Sequence, residues 1–115
     1  MKLVNLTPHT VNVVGAEDKA VLSVSPSGNV ARVTTKQVVI GSVAGVDVVR
    51  TEFGAVEGLP EPQDGVVYVV STLVLQALKA NGVARSDVVS PDTSPASVVR
   101  NADGQVVGVR RFQVL

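Results

Sequence analysis

Valine is the residue that most constrains this chain. It occupies 29 of 115 positions and recurs along almost the whole length. A β-branched side chain loses χ1 freedom in a helix and packs well on a pleated surface, so a chain this rich in valine is biased towards strands. The spacing agrees, because most segments alternate apolar and polar residues with period 2. Lys2 to Leu6, Val11 to Val14 and Ala20 to Val24 read as three short strands. Thr7-Pro8-His9 turns the first into the second, and Gly15 with Glu17-Asp18-Lys19 ends the second. After the turn signal Pro26-Ser27-Gly28, Val30 to Ile40 reads as a long strand. Val43 to Thr51 either pairs with it or forms its own hairpin around Ala44-Gly45.

The second half is punctuated differently. Gly58-Leu59-Pro60-Glu61-Pro62-Gln63-Asp64-Gly65 is a polar loop stiffened by two prolines, and the stretch from Gly54 to Pro62 reads either as an ordered surface loop or as a lid or subunit contact. Val66 to Val70 is apolar enough for a central strand. One segment has helical character, Ser71 to Ala80. Ser71 or Thr72 can cap it, Val74, Leu75 and Leu78 share a face, and Asn81-Gly82 ends it. Val88-Val89 is a short strand candidate. Ala96 to Arg100 and Gln105 to Val114 flank the tight-turn signal Asp103-Gly104 and read as a hairpin. The expectation is a single mainly β (α+β) domain over 1–115. It is a compact β-barrel or sandwich of about eight short strands, with one helix near 72–80 plugging an open end.

Composition narrows the function. Ten basic and ten acidic residues cancel. Duplex nucleic acid is bound largely by neutralising phosphates, so a neutral chain is a poor candidate for it. The absence of cysteine removes disulfides and thiolate metal sites, and a lone His9 cannot build a histidine cluster within one subunit. No apolar run is long enough for a membrane helix, and the first residues lack a signal-peptide pattern, so the expected setting is the cytoplasm of a bacterium or infected host. Neither a P-loop nor a Gly-x-Gly-x-x-Gly stretch is present, and no cofactor is expected.

The densest polar stretch is Arg85-Ser86-Asp87-Val88-Val89-Ser90-Pro91-Asp92-Thr93-Ser94-Pro95. Proline restrains both itself and its predecessor, so these polar groups are held in a fixed geometry. Two readings stay open. In the structural one, Arg85 pairs with Asp87 while Asp92 and Thr93 cap a turn. In the functional one, Arg85, Asp87, Asp92, Thr93 and Ser94 line a pocket for a small polar ligand. Arg32, Arg50 with Thr51, and Arg100 are candidate phosphate or carboxylate donors, against the plainer reading of solvated strand faces. Tyr68 or Phe53 is a candidate stacking platform, and Ser71 and His9 complete the candidate ligand-binding set. Catalysis by His9 with Asp87, or by a Ser71–His9–Asp87 triad, is a further reading without a Gly-x-Ser-x-Gly elbow behind it.

The chain resembles a family of small proteins of unassigned activity carried by phages, prophages and some bacteria. The likeness lies in Asn5-Leu6-Thr7-Pro8-His9, Pro26-Ser27-Gly28 with Arg32, Gly58-Leu59-Pro60, Tyr68-Val69-Val70-Ser71, Arg85-Ser86-Asp87 with Pro91-Asp92-Thr93, and Gly108-Val109-Arg110. The family brings no catalytic residues with it. By analogy of size, the phage association implies sponges that sequester nucleotide signals of host immunity. The leading expectation is therefore non-enzymatic binding of a small phosphorylated or nucleotide-derived molecule by a homo-oligomer. The alternatives are a phage structural or decoration protein without such a ligand, and a small hydrolase.

Overall fold

The computed structural model describes residues 2–15 and 19–115. Strands β1 (Lys2–Asn5), β2 (Val11–Val14) and β3 (Ala20–Val24) come first. Two long strands follow, β4 (Arg32–Val43) and β5 (Val46–Glu57), then β6 (Val66–Val69) and helix α1 (Thr72–Ala80). The chain closes with β7 (Val88–Pro91), β8 (Val98–Arg100), β9 (Val106–Val109) and β10 (Phe112–Gln113). The architecture is mainly β with one helix. The charged Glu17-Asp18 of the expected second turn lies outside the described residues.

The strands form three sheets, in the orders β1-β6-β7-β10, β3-β2-β9-β8 and β4-β5. Ten strands among the described residues replace the eight expected, and no barrel closes. The main reason is the last apolar segment. It does not run as one strand from Gln105 to Val114 but breaks at Arg110-Arg111, so β9 joins the second sheet and β10 the first.

Parallel pairing was not part of the sequence reading. β1 runs parallel to β6, and β6 parallel to β7. Parallel neighbours need a crossover, and α1 supplies it between β6 and β7. The helix begins where expected: Ser71 is its N-cap and accepts a 3.3 Å bond from the Val74 amide. Such a cap satisfies one of the orphan donors of the first turn and is worth about 1 kcal/mol. Val74, Leu75, Ala77 and Leu78 are buried under it. With Leu6, Ala31, Tyr68, Val70 and Val88 they make the core. Each fully buried valine or leucine contributes roughly 1.5–3 kcal/mol.

The β4–β5 hairpin departs from this core. Each strand has 12 residues, about twice the usual strand length. It turns at Ala44-Gly45, with φ of 52° and 79°, the left-handed pair that a two-residue hairpin turn requires. The strand continues through Gly54 to Glu57, where the sequence suggested a loop. A bulge between Val33 and Thr35 takes up the extra residue, and a Cβ on Gly54 would lie 2.4 Å from the Thr34 hydroxyl oxygen. The hairpin's outer half stands away from the body. The radius of gyration is accordingly 16.4 Å, against about 13 Å for a compact chain of this length.

Candidate functional site

The parallel sheet places its polar residues at one edge. Asn5 of β1 lies opposite Val69 of β6, and Val69 lies opposite Val89 of β7. The residues that follow these strands therefore emerge together, at the carboxyl ends. They are Thr7 to Thr10 after β1, Ser71 and Thr72 after β6, and Thr93 after β7. With the Val106–Val109 strand of the second sheet, they enclose a cleft of about 620 Å³.

The β1 exit is built around Asn5, which is 1 % exposed. Its side-chain Nδ2 donates to the carbonyls of His9 (2.8 Å) and Val24 (2.9 Å). Its Oδ1 accepts from the Thr7 amide (2.9 Å) and the Thr7 hydroxyl (2.6 Å). Every hydrogen-bonding position of the amide is thus used, which explains why it tolerates burial. The backbone carbonyl of Asn5 accepts from the amide and hydroxyl of Ser27. The Thr7–His9 turn is fixed from below, and the His9 ring is left exposed at the cleft. Across it, the Thr72 hydroxyl accepts a 3.3 Å bond from Gln113, tying the start of α1 to β10.

The polar segment behind the cleft is occupied with its own structure. Arg85 grips Asp87 with two bonds, Nε to Oδ1 and Nη2 to Oδ2, both 2.8 Å. The same Nη2 donates to the Pro60 carbonyl at 3.0 Å. The Tyr68 hydroxyl donates to the neighbouring Glu61 carbonyl at 3.2 Å. Arg85 and Tyr68 therefore hold the proline loop against the body. The guanidinium keeps the Asp87 carboxyl below its ordinary range, and Asp87 in turn raises Arg85. On the other side, Asp92 accepts from Arg111 Nε and from the Ser94 amide. The Asp92 amide also donates to the Arg111 carbonyl at 2.9 Å. The Arg111 bond first, then the Ser94 amide, lower the Asp92 pKa to about 2. This pair fastens the end of β7 to the two-residue joint between the sheets. Ser97, fully buried, secures the same joint by accepting from the Arg110 amide through both its carbonyl and its hydroxyl.

Of the twelve residues singled out by sequence, the cleft gathers His9, Ser71 and Thr93. The others go elsewhere. Tyr68 is 2 % exposed and cannot offer a ring face to a ligand. Both Asp87 oxygens are engaged by Arg85, so no Ser71–His9–Asp87 triad assembles. Asp92 and Ser94 form a turn with each other. Arg32 sits opposite Glu57 at the hairpin base, and Arg50 and Thr51 lie out on the hairpin. Arg100 donates to the Gly104 carbonyl within its own turn. None of the three cavities described in this protein is lined by more than one arginine. Thr7, Thr72 and the Val106–Val109 wall were not anticipated as cleft residues. The only sequence signal of the two threonines is a hydroxyl placed shortly after an apolar strand, and the Val106–Val109 wall carries none.

No protein-family model, curated protein or solved structure matches this chain.

Proposed function

We propose that this protein binds a small polar molecule of about nucleoside size in the carboxyl-edge cleft and does not transform it. One observation carries the reading: polar residues that follow three parallel strands, far apart in sequence, meet at a single concavity. Open sheets with parallel strands take ligands at that edge, because the loops leaving the strands converge there. A cleft of about 620 Å³ falls within the roughly 300–1,000 Å³ of small-molecule sites. Its wall of valines suits the flat face of a base or an acyl group. The hydroxyls of Ser71, Thr72 and Thr93 and the His9 ring suit sugar or phosphoryl oxygens. No arginine lines it, so a phosphoryl group would be met by hydroxyls and by amides at the start of α1 rather than by a guanidinium fork.

The test is native mass spectrometry with nucleosides, mononucleotides, cyclic dinucleotides and ADP-ribose. The expected result is retention of one unmodified compound, weakened at least tenfold by His9→Ala and by Thr93→Trp and unchanged by Arg100→Ala. Binding that survives both cleft substitutions would place the ligand elsewhere, and a ligand released with altered mass would make the protein an enzyme. A second reading, an assembly protein with no such ligand, is favoured by the apolar residues exposed along the β4–β5 hairpin. It gains if nothing in the panel binds.

A further inference from the structure

The outer half of the β4–β5 hairpin carries apolar side chains that nothing among the described residues covers. Val43, Val46, Val39 and Ile40 are each more than half exposed, and Val49 nearly so. A two-stranded ribbon is marginal in water unless a third strand or another layer covers it. The body's grip ends at the base, where the Asn81 side chain donates to the Gly54 carbonyl at 3.0 Å.

The two edges of the ribbon differ. β4 is interrupted by a bulge between Val39 and Gly41, whereas β5 runs unbroken from Val46 to Phe53. In a hairpin closed by a two-residue turn, the flanking pair (here Val43 and Val46) is hydrogen-bonded. Counting on from Val46 by twos, Val48, Arg50 and Glu52 bond to β4, so Val49, Thr51 and Phe53 turn their N–H and C=O groups outward. That row is an unpaired edge, a template for another strand.

The residues on this edge read as a complementary palindrome about Thr51: Val49-Arg50-Thr51-Glu52-Phe53. We infer that β5 pairs antiparallel with β5 of a second copy, with the two-fold axis passing through Thr51. In that register Arg50 faces the partner's Glu52, and Glu52 faces the partner's Arg50. Val49 meets the partner's Phe53 in the same way, and Thr51 meets its own copy. Opposite charges, a β-branched residue against an aromatic ring, and threonine against threonine are the cross-strand pairs that stabilise a sheet. Neighbouring symmetric registers fail. An axis through Arg50 or Glu52 sets like charges face to face, and one through Val49 sets both charges against valines. Arg50 and Glu52 already lie on one face, 3.1 Å apart within the strand, so the four charges form a ring across the axis. The two hairpins then make one four-stranded sheet. Each tip, with Val43 and Val46, reaches the base of the other hairpin, where Phe53, Val56, Leu59 and Leu78 line a cavity of about 530 Å³. In this register the stretch from Val46 to Val56 of β5 lies along its partner, eleven positions per copy, and the tip seated at the partner's base adds to them, towards the roughly 20–30 residues a side of a stable interface.

The experiment is sedimentation of the whole chain over a range of concentrations, alongside Arg50→Glu, Glu52→Arg and the double swap. The expected result is a dimer that each single reversal weakens at least tenfold and the swap restores, with circular dichroism unchanged because these side chains are exposed. The chain has no cysteine. Thr51→Cys should therefore give a covalent dimer under mild oxidation, and Gln37→Cys, opposite it on β4, should not. A wild-type monomer at every concentration would overturn the pairing. So would a dimer indifferent to both single reversals, or crosslinking through Gln37→Cys in preference to Thr51→Cys. The cleft takes no part, so ligand binding can fail while this association stands.

Discussion

The cleft edge and the hairpin are made of similar residues and are held in opposite ways. In the polar framework behind the cleft three side chains are fully engaged: Asn5 uses its whole amide, Asp92 is taken by Arg111 and Ser94, and Asp87 by Arg85. Along the outer hairpin, valines face solvent and no strand among the described residues lies beside the β5 edge. The first region is stabilised from within the chain. The outer half of the second is covered by nothing among the described residues. The difference teaches that alternation of valine with polar residues specifies a strand but not what will cover it. A period-2 segment becomes an interior strand or a bare ribbon according to what packs on its faces.

The contrast can be broken most directly where the hairpin joins the body. Gly58 has a φ of +82°, and a Cβ there would lie 2.6 Å from the Val30 carbonyl oxygen. Gly58→Ala is expected to cost about 2–4 kcal/mol through left-handed strain and overpacking. Urea unfolding measures this, and a loss under about 1 kcal/mol would mean that the join is looser than described.

Acid tests the ion pairs next. Asp87 and Asp92 both have folded-state values below their unfolded ones, Asp92 reaching about 2. Their contribution is complete above the unfolded pKa of about 4 and is lost as pH falls through the folded values. The melting temperature should stay level from pH 7 to 5 and drop between about pH 4 and 2. In Asp92→Asn the drop should be shallower from a lower starting point. A decline already under way between pH 7 and 5 would point to other groups.

A smaller effect, of opposite sign, is expected at Ser90. Its hydroxyl is fully buried and has no hydrogen-bond partner. Ser90→Ala should stabilise by about 1 kcal/mol by removing an unsatisfied group, visible as a rise of a few degrees on calorimetry. Smallest of all, Val49→Ala on the hairpin should change the stability of the isolated chain by less than about 0.5 kcal/mol. If Val49→Ala costs as much as a core truncation at monomeric concentrations, the hairpin is not bare and the contrast fails.

The local features were legible in the sequence. Ser71 capping α1, the hairpin turn at Ala44-Gly45 and the Arg85–Asp87 pair all act within a few residues, where sequence spacing and spatial distance nearly coincide. The parallel pairing of β1 with β6 was not legible. Periodicity assigns a strand its faces and says nothing of its neighbour sixty residues away. The same limit hid Arg111 as the partner of Asp92 and the joint at Arg110-Arg111, which looked like two adjacent residues of one strand. It also separated the twelve candidate residues. His9, Ser71 and Thr93 were visible as polar residues at strand ends, and only the order of the sheet brings them to one place.

The Arg110-Arg111 joint has a consequence for how binding can be measured. One wall of the cleft belongs to the second sheet and the others to the first, and Asp92 pins the joint between them. A molecule that bridges the walls ties together the same two sheets that the Asp92–Arg111 pair joins. By linkage, anything that binds the folded form alone adds to its stability as its concentration rises. The acid midpoint of unfolding then becomes a label-free titration axis. A true cleft ligand moves it to lower pH in proportion to the logarithm of its concentration, whether or not the ligand absorbs, fluoresces or reacts.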